Sequence, residues 1–234
     1  MEEKHTWREA TTIIMTRINV FVEGQTEETF VRDTLAPYFV RQGIYLNAIL
    51  AQTSRGHKGG IVSYGKVKHQ ITRLCQQDKK AWVTTLIDYY GLPTDFPMVG
   101  QGKSVNEDIY SWIEDLESAF DADIAQPNFI ANFLLHEFEA LLFCDPEKFA
   151  DWLEEKKPII ELNNIKLAFD SPESINNSPQ TAPSKRILAA IPEYQKTLHG
   201  PLIAADIGLD TIRRQCPHFD GWLQRLEALK PPQP

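Results

Sequence analysis

Four apolar runs rich in β-branched and aromatic residues, each leading toward a stretch with helical spacing, constrain this chain more than any other feature. RINVFV (17–22) is followed by Thr26 to Val40, where Phe30, Val31, Leu35 and Phe39 recur on one face. YLNAILAQTS (45–54) runs into the glycine-rich loop RGHKGG and then a helical segment over Tyr64 to Gln77, with Val67, Ile71 and Leu74 inward. AWVTTLID (81–88) precedes the loop YYGLPTDFP and a helix over Asn106 to Phe120, and NFIANFLL (128–135) gives way to HEFEALLF, which again has helical spacing. Strands alternating with helices predict right-handed crossovers, and so an α/β fold whose mostly parallel sheet carries helices on both faces.

Functional groups in such sheets gather at the carboxyl ends of the strands. Three of the four runs end on acid there: Glu23, Asp88, and the pair Glu137 and Glu139 beside His136. Glu27, four residues beyond Glu23, falls on the opening turn of the next helix and can face the same crevice. Converging carboxylates repel one another, and a divalent cation between them removes that penalty. Mg²⁺ takes oxygen ligands and leaves room in its shell for water and substrate phosphate, so the pattern favours phosphoryl transfer or phosphodiester hydrolysis with Mg²⁺ or Mn²⁺. Gly24 is expected to let the backbone turn tightly beside the metal. Glu137 and Glu139 are two apart, so on one helix they would not share a face, and Glu139 is the preferred ligand of the two.

Composition narrows the field further. A chain of 234 residues, 42% of them hydrophobic, can bury a full core, and it contains no apolar run of membrane-spanning length and no signal-peptide layout, which points to the cytoplasm. Cys75, Cys144 and Cys216 are too few and too dispersed for a disulfide framework, and the lone CxH of Cys216 and His218 is too little for a zinc site. A net charge of −8 excludes a protein that coats nucleic acid over its whole surface, but not one with a local basic patch around an acidic centre.

VEGQTEE (22–28) followed by a strand ending in aspartate resembles the Toprim signature of topoisomerases, primases and nucleases of the overcoming-lysogenization-defect (OLD) type. DYYGLPTDFP, HEFEALLF, PSKRI and CPHFDGWLQRL resemble successive blocks of a bacterial Toprim-like family known as domain of unknown function 4276, over roughly residues 17–228. The resemblance implies that Glu23 matches the Toprim glutamate, a metal ligand or general acid/base, that Asp88 matches the first aspartate of a DxD motif, and that Glu27 corresponds to an extra acid of OLD-type nucleases. Tyr90 departs from the pattern, standing where the second aspartate belongs, so the missing oxygen would come from Glu137, Glu139 or Asp95. Lys185 is implied as the lysine that stabilises charge at the scissile phosphate, with Lys196 as the alternative. Relatives of this fold are often paired with ABC-type ATPases in defence against phage, so the expected activity is a metal-dependent nuclease with an ATPase partner. A subunit that has lost catalysis, or an enzyme acting on a smaller phosphorylated substrate, is the alternative.

Arg55 and Lys58, in the glycine loop with His57, and Lys185 and Arg186, at the opening of a helix, are the candidate contacts to nucleic acid, because exposed amides and cations suit a phosphate. The expected organisation is a loose leader (1–15), a core (16–145), a loop-rich insertion with abundant Ser, Pro and Asn (146–183), and a helical C-terminal extension (184–234) packed through Ile203, Ile207, Ile212, Trp222 and Leu226.

Overall fold

A computed structural model describes residues 15–54, 57–58, 60–61, 63–104, 107–152, 157–176 and 180–230. The leader up to residue 14 and Arg55 lie outside the described residues, as does the side chain of Lys58.

β1 (Thr16–Val22) runs parallel to β2 (Ile44–Leu50), with Thr16 opposite Ile44, and parallel to β5 (Ala81–Asp88), with Arg17 opposite Ala81. Beyond β5 lie β6 (Phe129–Ile130) and β7 (Phe133–Leu134), so the sheet has the order β2-β1-β5-β6, with β7 also paired to β5. β1 and β5 are central and covered on both faces, which is why their sequences are nearly continuous apolar runs. The expected α/β class with a mostly parallel sheet is the one observed.

Two runs are broken where an unbroken strand is expected. β2 stops at Leu50, and Gln52–Ser54 (β3) leaves the sheet to pair antiparallel with His57–Lys58 (β4). The 128–135 run splits into β6 and β7, both parallel to β5. Between them the Thr85 hydroxyl donates to Asn132 O (2.6 Å) and accepts from Asn132 N (2.9 Å), taking the place of a ladder bond. On the outer side, Asp121 and Glu117, one turn apart, accept from Ala131 N (3.1 Å) and Phe133 N (2.9 Å). Both carboxylates belong to α4 (Ile109–Ile124), which therefore closes the sheet edge that a further strand would otherwise cover.

The helix after β1 also departs from regularity. α1 (Gln25–Phe30) passes through a π-helical turn (Val31–Leu35) into α2 (Ala36–Val40). Pro37 lies in the first turn of α2 and has no N–H to give, and the wider turn absorbs the missing bond while keeping Phe30, Val31, Leu35 and Phe39 fully buried.

The core divides at the sheet. One side packs α3 (Tyr64–Gln77) and α4 against Phe21, Val83 and Ile87, including a stacked Phe120–Phe133 pair with centroids 5.5 Å apart. The other packs Ile18, Val20 and Val22 against α1, α2 and the C-terminal helices α6 (Pro183–Ala190), α7 (Lys196–Ile207), α8 (Leu209–Gln215) and α9 (Pro217–Glu227). Ile203, Ile207, Ile212, Trp222 and Leu226 are all buried there, and Trp222 Nε1 donates to Thr84 Oγ1 (3.0 Å) on the sheet itself. Segment 146–183 contains α5 (Lys157–Leu167), whose Ile159 and Leu162 belong to the same core. Among the described residues, no helix is long and apolar enough to cross a membrane.

Candidate metal centre

β1 and β5 are parallel neighbours, so the turn after Val22 and the last residue of β5 meet at one end of the sheet. Glu23 stands directly after β1 and Asp88 closes β5. The chain then turns into α1 with Gly24 as N-cap in an extended conformation (φ −138°), and Glu27 Oε2 accepts from Gly24 N (2.9 Å). Glycine is used here for space and not for left-handed freedom, since a Cβ on residue 24 would stand 3.0 Å from that carboxylate oxygen. Glu27 thus caps the helix while facing the crevice.

The third strand end is shaped by His136, whose φ of 66° is unusual for a residue with a side chain and reverses the chain beyond β7. The neutral His136 ring, held down to about 4 chiefly by burial, is fixed by Asn176 Nδ2 at 3.2 Å from its Nδ1. Glu137 is consequently extended, and Phe138–Cys144 coils as 3₁₀ turns instead of the α-helix that its spacing predicts. The expectation that the two lie on one helix and so on different faces does not hold for that reason: Lys196 Nζ lies 3.8 Å from Glu137 Oε1 and 3.4 Å from Glu139 Oε2. Glu137 is further held by Ser184 N (2.9 Å) and Ser184 Oγ (3.1 Å), and Asp88 Oδ1 accepts from Phe138 N (2.9 Å).

The electrostatics reflect this crowding. Burial, then the neighbouring Glu23, pushes Glu27 up to about 7. Burial does the same to Glu139, also to about 7, against the opposing pull of Lys196. Burial raises Glu23 too, although N–H groups of Ile61 and Asp88 favour its charged form. Asp88 is driven well above the ordinary carboxylate range by burial and by Glu27, Glu23, Glu139 and Glu137 together. Burial works to lower Lys196, but Glu139, Glu137 and Asp88 outweigh it and hold the ammonium charged. Among the described residues, the cluster therefore brings five carboxylates to one lysine.

Such a set fits an oxygen-preferring divalent cation by donor chemistry. The buried Tyr194 hydroxyl lies among the same groups, and burial, then Glu139, Glu137 and Glu27, hold its proton in place. Among the described residues, no three His, Cys, Asp or Glu side chains stand together in a geometry that could hold a metal ion.

The remaining expected site residues lie elsewhere. Lys185 is exposed and, among the described residues, makes no ion pair with the cluster; the residue of that helix that reaches it is Ser184. Arg186 is engaged through Nε with Thr181 O (2.6 Å) and lies over the Phe169 ring at 5.2 Å. Asp95 accepts from Tyr64 N (3.0 Å) at the start of α3 and so serves as a helix cap. Tyr90 N donates to His136 O (2.8 Å), prolonging the pairing beyond Asp88. Cys216 faces Cys144 (Sγ to Sγ 3.4 Å) while His218 pairs with Glu117 (3.0 Å), so the CxH residues serve different partners. Tyr194 carried no motif that could flag it, and Lys196 is an isolated lysine in the sequence, recognisable only once α7 is placed.

Fold and site together define a parallel α/β protein with an acidic centre at the carboxyl end of its sheet. The chain belongs to the family described as Domain of unknown function (DUF4276), whose model matches residues 22–227. No curated protein matches it. Among solved structures it is similar to the C-terminal region of the Xanthomonas campestris pv. campestris OLD protein phased with iodine, at 15% identity over 91% of this chain and 98% of that one, with a TM-score of 0.40. The same region phased with platinum gives 16% identity, 91% and 96% coverage, and a TM-score of 0.41.

Proposed function

We propose that this protein is a Toprim-type nuclease that hydrolyses phosphodiester bonds of DNA or RNA with Mg²⁺ or Mn²⁺. The observation that carries the reading is the convergence of Glu23, Glu27, Asp88, Glu137 and Glu139, from the ends of three strands and the turns after them, around the ammonium of Lys196. Glu23, Asp88, Glu27 and Glu139, with Glu137 behind them, would hold the cation, which when bound offsets their repulsion and polarises a phosphodiester.

The chain's own groups supply the rest. Glu139 and Glu27, both raised by burial in the metal-free protein, gain most from a cation that offsets the crowding. Lys196, with its side chain 43% exposed, can meet a phosphate while remaining charged. Glu137 secures the N-terminus of α6 through Ser184 and so fixes the wall of the crevice. The motif resemblance to OLD-type nucleases supports a role as effector of a bacterial anti-phage system acting with an ABC-type ATPase.

The test is cleavage of plasmid, linear DNA and tRNA with Mg²⁺ or Mn²⁺ by the purified chain, beside a Glu23→Gln, Asp88→Asn double variant. Cleavage that vanishes in the variant is the expected result. Cleavage that survives in the variant places the chemistry elsewhere. Silence of both proteins favours a subunit that has lost catalysis, the reading that Tyr90 in the second DxD position would then explain.

A further inference from the structure

We infer that the outward face of α3 is the track on which the phosphate backbone of a nucleic-acid duplex lies; the inference rests on the nuclease reading above for what the acidic centre does with that duplex. Charge is divided unevenly along the sequence. The chain holds 32 Asp and Glu, yet none falls between Asp33 and Asp78, a stretch that carries six of the 24 Lys and Arg. α3 lies wholly inside this stretch, so YGKVKHQITRLCQQ has two lysines, an arginine and a histidine and no acid on any face. In a protein of net charge −8, such a helix is a local positive field on an otherwise acidic body.

Helical geometry gathers that charge on one side. Val67, Ile71 and Cys75 face the core, and the opposite side forms a groove of about 440 Å³ lined, among the described residues, by Gly65, Lys68, His69, Thr72, Arg73 and Gln76. Apart from the glycine, each of these can donate a hydrogen bond, and none is acidic. From Gly65 to Gln76 the groove is about 17 Å long, the length of about five base steps. Lys68 shares its charge with Asp123 (2.9 Å), but His69 and Arg73 are exposed and, among the described residues, have no hydrogen bond or ion pair. Gly65, in the first turn, has ordinary backbone, and a Cβ there would meet nothing within 4 Å among the described residues, so packing does not ask for glycine. Its use is a bare stretch of helix that a phosphate backbone can approach closely. The groove has no Phe, Tyr or Trp on which unpaired bases could stack, which favours a duplex held by its phosphates over a single strand.

The track begins at the acidic centre. Gly60 N donates to Glu23 O (3.1 Å), and α3 opens four residues later, so its first turn lies within about 14 Å of Glu23. From there α3 runs along the flank of the sheet toward the start of β5. A duplex lying along it would therefore lead one phosphate toward the carboxylates.

The test is binding of a fluorescent duplex of about 30 base pairs, read by anisotropy with Ca²⁺ in place of Mg²⁺ and the duplex checked to be intact afterwards. In the full chain, Arg73→Gln should weaken binding about tenfold at about 50 mM salt and make the slope of log affinity against log salt shallower by about one, equally for duplexes of unrelated sequence. His69→Gln, one turn away, should give a smaller loss in the same direction. Lys157→Gln, which alters an exposed lysine of α5 on the other side of the sheet, should remain within about twofold of the wild type. All three positions are exposed, and equal melting temperatures show that the fold is kept. Unchanged binding in both α3 variants, or a wild type that binds no duplex, overturns the track, while plasmid cleavage by that wild type would still uphold the nuclease reading. A single strand of the same length bound as tightly as the duplex overturns the duplex as occupant. A wild type that binds duplex through Arg73 but cleaves nothing with Mg²⁺ or Mn²⁺ upholds the track and removes the nuclease reading.

Discussion

Lys196 Nζ lies 3.4 Å from Glu139 Oε2, joining the first turn of α7 to the turn that follows β7 across 57 residues of sequence. The two ends of this pair are unlike. Lys196 keeps 43% of its side-chain exposure whereas Glu139 keeps 3%, so the lysine is the face the cluster presents to solvent. An exposed ion pair adds little to stability, but removing the cation from a buried carboxylate leaves that charge uncompensated.

Replacing Lys196 with methionine should reduce cleavage by about 100-fold or more, the usual consequence of removing a donor aimed at developing charge. Lys185→Ala should remain within about twofold of the wild type, because surface changes remote from such features are close to neutral. Initial rates on one plasmid substrate separate the two lysines, and equal losses in both variants would return the role to Lys185.

Stability should depend on pH in a definite direction. Glu27 and Glu139 have folded-state values raised from 4.5 to about 7, so across that window the folded protein binds protons that the unfolded chain has released. Their contribution is therefore intact below about 4.5 and is lost as pH rises toward 7, at about 1.4 kcal/mol for each tenfold difference in proton affinity between the folded and unfolded states. The metal-free protein should melt lower at pH 7.5 than at pH 5.5, and millimolar Mg²⁺ should recover more of the loss at the higher pH. Glu139→Gln should flatten the profile; an unchanged profile in that variant would assign the dependence to other groups.

How much of this was legible in the sequence divides along physical lines. β5 and α3 coincide with their expected spans because apolar period and flanking turns agree there with tertiary packing. Glu23 and Asp88 were legible for the same reason: a carboxylate that ends a doubly buried strand has few other uses. The π-helical turn before Pro37 was not, because it depends on which carbonyl lacks a partner. The split of the 128–135 run was hidden too, since its cause is a threonine and two carboxylates from other elements. For Glu137 and Glu139 the helical period misled, because His136 takes a left-handed backbone that no periodicity reveals. Lys196 and Tyr194 enter through the packing of α7 on α1, a long-range contact with no local signature.

Glu173 offers a check on the far end of the C-terminal packing. It is 2% exposed and accepts from His218 N (3.1 Å) and Phe219 N (2.9 Å), doing for α9 what a cap does, although it lies in a different segment of the chain. Glu173→Ala leaves both N–H groups buried without an acceptor and should destabilise the protein by about 2–4 kcal/mol in urea denaturation. Glu173→Gln, which retains one acceptor, should fall between it and the wild type.

Gly200 yields the last prediction, and its sign runs against helix propensity. Alanine is favoured over glycine inside a helix by about 1 kcal/mol, so Gly200→Ala would stabilise a solvent-facing helix. At this position the new methyl group would press on Tyr194 Oη at 3.0 Å and on Thr26 Cγ2 at 3.3 Å, at the contact between α7 and α1. Overpacking of this kind costs about 1–3 kcal/mol, more than the propensity gain, so the net effect is destabilisation. The closest clash is with the hydroxyl oxygen, and Tyr194→Phe removes that atom. The double variant should therefore be more stable than Gly200→Ala alone, with part of the penalty remaining through Thr26, and a double-mutant cycle on chemical denaturation midpoints measures the coupling. Strict additivity of the two changes would mean that Gly200 is not there to seat the hydroxyl.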